Sequence, residues 1–234
     1  MLPILATPKY DMIVPSTGKP ITYRPYVVKE EKILLIAMES NDEKAINNAV
    51  LDTIKACVES PINIDDLTRF DVEYMFVTLR SKSVGEGIKL TPKCSECDEE
   101  HNVKVDLEQV KIANLDDTVD KHIKITDDIS VDIKWATMKD KDDDFAGDTE
   151  TQTIINLMVN SLETIYSGED IFAVSDVPKN EVIDFVESLN PDQFDSIVQV
   201  LSKAPYLSYD IVFDCVKCTK KNTITLNGLI DFFQ

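Results

Sequence analysis

Two stretches, Cys94-Ser95-Glu96-Cys97 and Cys215-Val216-Lys217-Cys218, decide how this chain folds. Each follows an alternating apolar stretch and, after five mostly polar residues, leads into another one. The pattern predicts a strand, a tight Cys-x-x-Cys turn (here called a knuckle) and a second strand, which is one half of a zinc ribbon. The two stretches therefore look like copies of one unit. Two such halves would supply the four thiolates of a tetrahedral zinc site, so we expect Cys94, Cys97, Cys215 and Cys218 to be metal ligands.

Other uses of the four cysteines can be weighed against zinc. A redox Cys-x-x-Cys needs a depressed thiol pKa, but carboxylates at residues 96 and 98–100 crowd the first knuckle and disfavour the thiolate unless a cation compensates. A disulfide framework is disfavoured because we recognise no signal peptide and the chain is long enough to bury a core without covalent staples. One structural zinc ion per chain is favoured, while a redox or disulfide pair and unligated thiols stay open.

Two further residues could take part in this chemistry. Cys57 falls on the apolar stripe of a predicted helix, which is typical of a core residue. His101 could replace a cysteine as a ligand, but we expect a solvated loop histidine at this position.

The charge of the chain narrows its range of partners. It has 234 residues, 43% of them hydrophobic, and a formal net charge of −19, with most of the excess acid after residue 90. Such a surface would repel phosphates, so direct binding of nucleic acid is disfavoured. No apolar run approaches a membrane span. The acidity serves solubility or complements a basic protein.

The N-terminal region, residues 1–85, predicts a hairpin followed by helices. Alternating residues around Pro15–Lys19 predict the hairpin. The almost wholly apolar run 33–38 predicts a short helix that is buried on every side. Longer helices are predicted from the stripe at residues 46–58 and over residues 70–82, with Gly85 as a C-cap.

The middle of the chain predicts one more hairpin and three helices. Apolar residues on either side of Asp127-Asp128 alternate as in a hairpin, and the acidic run Asp142-Asp143-Asp144 predicts a solvated loop. Helical stripes start near Thr151, Pro178 and Pro191, and the first of them extends to Ser167.

These elements predict an α+β fold. Residues 86–149 and 206–234 would form a discontinuous zinc-ribbon-like β platform, and residues 150–205 would form an inserted helical bundle.

The sequence offers no catalytic device. It has two histidines, neither near a plausible nucleophile in sequence, so Ser-His and Cys-His arrangements are disfavoured. No phosphate-binding loop or zinc-protease motif occurs. A zinc ion held by four thiolates has no open position for a substrate, which argues against a zinc enzyme. We therefore expect a protein that is not an enzyme.

Several segments together resemble one family, the T-even-like bacteriophage baseplate proteins. The resembling segments are Pro15–Gly18, Tyr23–Pro25, Lys29–Glu31, Leu34-Leu35, Phe70–Tyr74, Leu79–Glu86, the second knuckle, Leu226–Leu229 and Asp231–Phe233. The resemblance is strongest over residues 10–105 and 207–233. It implies a part in tail assembly, as a baseplate hub subunit or a hub assembly protein that contacts other hub and tail proteins. The location would be the host cytoplasm during assembly or the finished virion.

Within the resembling segments, a few residues are candidates for partner contacts. Arg24, Arg80 and Lys82 are basic residues in a very acidic chain, and Phe232 and Phe233 lie in an apolar tail that must dock somewhere. For the cations, salt bridges to neighbouring glutamates are the competing and favoured interpretation. An acidic zinc-ribbon regulator that binds a transcription complex is the alternative function.

Overall fold

The computed structural model describes residues 5–40, 42–115, 119–140 and 149–227, and these residues form an α+β protein. The helices are α1 (Val28–Glu39), α2 (Glu43–Cys57), α3 (Arg69–Val84), α4 (Glu150–Ser161), α5 (Lys179–Glu187) and α6 (Pro191–Leu201). The strands are β1 (Tyr10–Ile13), β2 (Pro20–Tyr23), β3 (Gly87–Leu90), β4 (Val103–Asp106), β5 (Lys111–Ala113), β6 (His122–Lys124), β7 (Ile129–Ile133), β8 (Leu162–Ser167), β9 (Asp170–Ala173), β10 (Tyr206–Asp214) and β11 (Lys221–Asn227). Across the described parts, none of the helices is both long and apolar enough to cross a membrane.

The chain divides into two compact units. The frame unit comprises Met1–Ala113 and Tyr206–Gln234, and the insertion unit comprises Asn114–Pro205. The boundary predicted between residues 149 and 150 therefore falls inside the insertion unit. The hairpin across Asp127-Asp128, predicted to belong to the β platform, is part of the insertion unit as well.

The frame unit is built from short antiparallel sheets and helices α1–α3. Strands β1 and β2 form the predicted N-terminal hairpin, and β3 pairs with β4 on either side of the first knuckle. Strand β10 pairs with β11 around the second knuckle and with β5 along its other edge. The predicted order of strand, knuckle and strand is thus present twice.

A buried carboxylate joins the N-terminal turn to α3. Asp71 is fully buried and completes a capping box with Thr68, because each side chain bonds the other residue's backbone N–H. The same carboxylate accepts hydrogen bonds from the backbone N–H and the hydroxyl of Ser16, at 2.8 and 2.6 Å. Two segments that carry the family resemblance, Pro15–Gly18 and Phe70–Tyr74, are therefore held together by one side chain.

The start of α1 is fixed by a charged pair. Glu30 is 3% exposed and accepts hydrogen bonds from Arg24 at 2.9 Å and from the backbone N–H of Val27 at 3.0 Å. Burial raises the pKa of the Glu30 carboxyl, but the bonds from Arg24 and Val27 outweigh this effect and leave the pKa below its ordinary value.

The prediction that the apolar helix is buried on every side is wrong. In α1 only the stripe of Glu30, Leu34 and Ala37 is buried. Val28 and Ile36 are 77% and 57% exposed. The physical reason is that α1 packs its single stripe against α2, so apolar composition alone did not determine how many faces of the helix are covered.

The insertion unit has a sheet and a hydrophobic core of its own. Its strands pair in the order β6-β7-β8-β9, all antiparallel. Its buried core consists of Ile123, Val131, Ile133, Met158, Val159, Leu162, Ile165, Val182, Val186, Ile197 and Leu201.

The predicted helix through Ser167, and with it the all-helical insertion, is wrong. Helix α4 ends at Ser161, and Leu162–Ser167 form strand β8 between β7 and β9. Leu162 and Ile165 are buried as expected, but a β-bulge at Asp132/Ile133 lets a strand bury residues three apart. The predicted acidic loop Asp142-Asp143-Asp144 lies outside the described residues.

Candidate metal centre

The two knuckles adopt the same backbone conformation. The backbone N–H of Cys94 donates to the carbonyl of Glu99 at 2.9 Å, and that of Cys215 donates to the carbonyl of Lys220 at 2.8 Å. In each knuckle the backbone N–H of the residue after the second cysteine donates to the carbonyl of the first cysteine. Asp98 donates to Cys94 at 3.0 Å, and Thr219 donates to Cys215 at 2.9 Å.

The sharp turn of each knuckle needs a left-handed residue at one position. Asp98 has φ of 55° and Thr219 has φ of 60°, and both directly follow the second cysteine. This region is unfavourable for a residue with a Cβ, above all for a β-branched threonine. Both copies accept the same strain at the same place, which supports the interpretation that they are two copies of one unit.

The four thiols meet in one cluster although the two knuckles are more than a hundred residues apart in sequence. All four sulfur atoms lie within 4.8 Å of one another. Two cross-knuckle pairs, Cys94 with Cys218 and Cys97 with Cys215, are 3.6 Å apart. A tetrahedral zinc ion with Zn–S bonds of about 2.3 Å separates its sulfur atoms by roughly 3.8 Å, so the donor set fits such an ion.

Thiolate formation in the cluster is favoured at the first cysteine of each knuckle. Hydrogen bonds from the backbone N–H of Cys218 and neighbouring groups lower the pKa of Cys215 to about 6. The backbone N–H of Glu96 likewise helps to lower the pKa of Cys94. At Cys97 the backbone N–H of Glu99 acts in the same direction, but burial and the surrounding thiols outweigh it and raise the pKa to about 12. A divalent cation would favour the deprotonated form of all four.

The charges of the two knuckles are complementary. Lys220 lies 2.8 Å from Glu96, and Lys217 lies 3.2 Å from Glu99. Two of the four carboxylates that disfavour a thiolate in the first knuckle, Glu96 and Glu99, are thus compensated by cations from the second. These exposed pairs contribute little stability, but they favour the pairing of an acidic knuckle with a basic one.

Sequence reasoning missed one side chain at the cluster and misjudged another. Asn222 is 4% exposed, and its amide nitrogen lies 3.5 Å from the sulfur of Cys94. His101 is 9% exposed and packs on the ring of Phe213, with ring centroids 4.8 Å apart. The expectation of a solvated loop histidine is therefore wrong. The available signal was positional, since His101 and Asn222 each stand four residues after the second cysteine of their knuckle.

Cys57 lies apart from the cluster. It is fully buried, as predicted for a core residue. Its burial raises the pKa of the thiol to about 11, so it stays protonated at neutral pH.

The predicted partner-binding cations all have contacts within the frame unit. Arg24 pairs with Glu30, and Lys82 pairs with Glu86 and Glu108. Burial raises the pKa of the Tyr26 phenol, and the nearby Arg80 guanidinium partly offsets this effect.

The salt-bridge interpretation is therefore confirmed for Arg24 and for Lys82, while a role in partner binding stays a prediction. Phe232 and Phe233 lie outside the described residues.

The fold and the cluster define an α+β protein with a candidate structural metal centre. The family described as T4 bacteriophage base plate protein matches residues 7–234. The chain belongs to this family and is a phage baseplate protein, which confirms the resemblance and extends it across residues 110–205. No curated protein and no solved structure shows significant similarity to the chain.

Proposed function

We propose that this chain is a non-enzymatic component of baseplate hub assembly, either a hub subunit or an assembly factor, and that one zinc ion closes its frame unit. The observation that carries the proposal is the family match over residues 7–234. The match includes both knuckles and the whole insertion unit. Assembly with other tail proteins is what membership of a baseplate family implies.

The zinc part of the proposal is supported by the donor set. Four cysteine sulfurs within 4.8 Å of one another are the ligands that zinc prefers, and two of them are buried. A closed set of four protein ligands leaves no coordination position for a substrate, so the ion would be structural. Lys217 and Lys220 of the second knuckle pair with Glu99 and Glu96 of the first, which weakens the electrostatic objection to thiolates.

The proposed mode of action is protein–protein contact. With a net charge of −19, the surface favours basic protein partners over nucleic acid. We place the protein in the host cytoplasm while the tail is built.

Co-purification tests the hub role. A tagged chain is produced during infection, and the bound proteins are identified by mass spectrometry before and after tails are complete. We expect hub and tail proteins in the early sample, with Val216→Ala behaving as wild type because this knuckle residue is 84% exposed. Recovery of RNA polymerase in place of tail proteins would support a transcription regulator and contradict the proposal. Immunoblots of purified particles then separate a subunit, which is retained, from an assembly factor, which is released.

Native mass spectrometry tests the metal. We expect one zinc ion per chain, lost when Cys94 or Cys215 is replaced by serine. A folded, fully reduced protein without metal would contradict the zinc site.

A further inference from the structure

Asn222 connects the two knuckles through a buried amide. Its side-chain oxygen accepts hydrogen bonds from the backbone N–H and the hydroxyl of Ser95, both at 3.0 Å. Its nitrogen donates to the carbonyl of Lys220 at 3.0 Å and points to the sulfur of Cys94 at 3.5 Å. A residue of the second knuckle's hairpin thus contacts the first cysteine of the opposite knuckle.

His101 has the matching place on the other side. It follows the first knuckle by the same number of residues as Asn222 follows the second. The imidazole packs on Phe213, two residues before Cys215, with ring centroids 4.8 Å apart, so it lies beside the first cysteine of the second knuckle. Its Nε2 atom is buried and has no hydrogen-bond partner among the described residues. Leaving a buried polar atom unsatisfied is costly, so a nearby negative acceptor would stabilise the ring.

We propose that His101 and Asn222 are matched positioning residues of the metal centre, each donating an N–H hydrogen bond across the knuckles to the first cysteine of the opposite one. This inference rests on the proposed zinc site. Four thiolates around one Zn²⁺ carry a net charge of −2, and N–H donors spread that charge while they fix the orientation of the sulfur atoms. The lysines at the knuckles are exposed and cannot fix the sulfur atoms in this way.

Asn222 and His101 differ in their other contacts. Asn222 also bonds Ser95 and Lys220, so its loss would disturb the backbone of both knuckles. His101 packs on Phe213, so a phenylalanine in its place can keep the ring contact and remove only the N–H. His101 is therefore the better residue for a test.

The test uses the full chain with Co²⁺ in place of zinc, followed by competition for Zn²⁺ with a chelator. We expect His101→Phe to shift the sulfur-to-cobalt charge-transfer bands and to weaken zinc binding about 10–100-fold, as is typical when a partner of a ligand is removed. His101→Gln, which keeps an N–H donor, should restore most of the affinity. His122→Phe is the matched control, because this other histidine is exposed on β6 and bonds Asp132.

Each outcome decides between the two proposals. If wild type binds Co²⁺ through four sulfurs and His101→Phe has the same spectrum and affinity, the positioning role is wrong while the zinc site stands. A nitrogen in the first coordination shell, seen by X-ray absorption, would make His101 a ligand and overturn the role proposed here. Wild type without any metal affinity would overturn both proposals. Should His101→Phe fail to fold, His101→Gln against His101→Met makes the same comparison.

Discussion

The two units of this protein differ in how strongly they rely on polar contacts between distant segments. The insertion unit has one contiguous apolar core, in which strands β6–β8 and helices α4–α6 supply the buried side chains. The frame unit also buries apolar side chains, Met75, Phe76 and Leu79 among them, but its distant segments are joined in addition by polar anchors: the thiol cluster, the Asp71 carboxylate and the pair of Arg24 with Glu30. Apolar burial depends on area and tolerates many substitutions, whereas each polar anchor depends on one or two atoms. We therefore expect the frame unit to be the more sensitive to single changes and to solution conditions.

The largest effect is expected from removal of the metal ligands. Cys215→Ser, or chelation of the wild type, should abolish the folding transition of the frame unit, because structural zinc contributes on the order of 10 kcal/mol in small domains. The insertion unit should keep its own transition in calorimetry. Val216→Ala is the control and should change neither transition. An unchanged melting curve for Cys215→Ser would show that the thiol cluster does not hold the frame.

Truncation of a side chain in the apolar core should instead destabilise the insertion unit and leave the frame unit unchanged. Leu162 is 1% exposed, and Leu162→Ala should lower the stability of the insertion unit by about 2–5 kcal/mol through lost burial and a residual cavity. Leu157, which is 37% exposed, supplies the matched Leu→Ala control and should cost much less. Zinc content should stay at the wild-type level in both variants. A loss of zinc from Leu162→Ala would show that the two units are coupled.

The Asp71 anchor should have an intermediate effect on the frame unit. Asp71→Ala leaves the N–H and hydroxyl groups of Ser16 and Thr68 without their acceptor, and we expect a loss of about 3 kcal/mol in chemical denaturation. Asp65→Ala removes an exposed carboxylate just before α3 and serves as the control. Equal effects of the two substitutions would contradict an anchoring role for Asp71.

The smallest effect should come from Glu30 and should depend on pH. The folded-state pKa of Glu30 is lowered from 4.5, so its contribution to stability is present above that value and is lost as pH falls through the lower, folded-state pKa. Glu30→Gln should cost about 1 kcal/mol at pH 7, and the difference from wild type should shrink below about pH 4.5. A difference that is constant with pH would show that the charge of Glu30 is irrelevant.

The frame unit could be predicted from the sequence where a motif fixes geometry. The Cys-x-x-Cys spacing predicted both knuckles and their meeting, and turn residues predicted the hairpin around Pro15–Lys19. Caps and stripes predicted α3 and its end at Gly85, which has φ of 119°.

The wrong predictions concern features of the fold that depend on tertiary packing. Ile165 continues a helical stripe, but pairing with β7 and β9 turns its segment into a strand. The exposed face of α1 depends on how many neighbours cover the helix, which composition does not encode. The role of Asn222 required the fold, because its contacts with Ser95 and Cys94 join residues more than a hundred positions apart.

The position of the knuckles also sets the order in which the protein can mature on the ribosome. The insertion unit, Asn114–Pro205, can collapse as soon as it has emerged, because the core that the structure describes for it runs from Ile123 to Leu201. The thiol cluster of the frame unit has to wait until Cys218 has left the exit tunnel, because Cys94 and Cys97 alone are only half of it. Closure of the thiol cluster is thus a late step of synthesis.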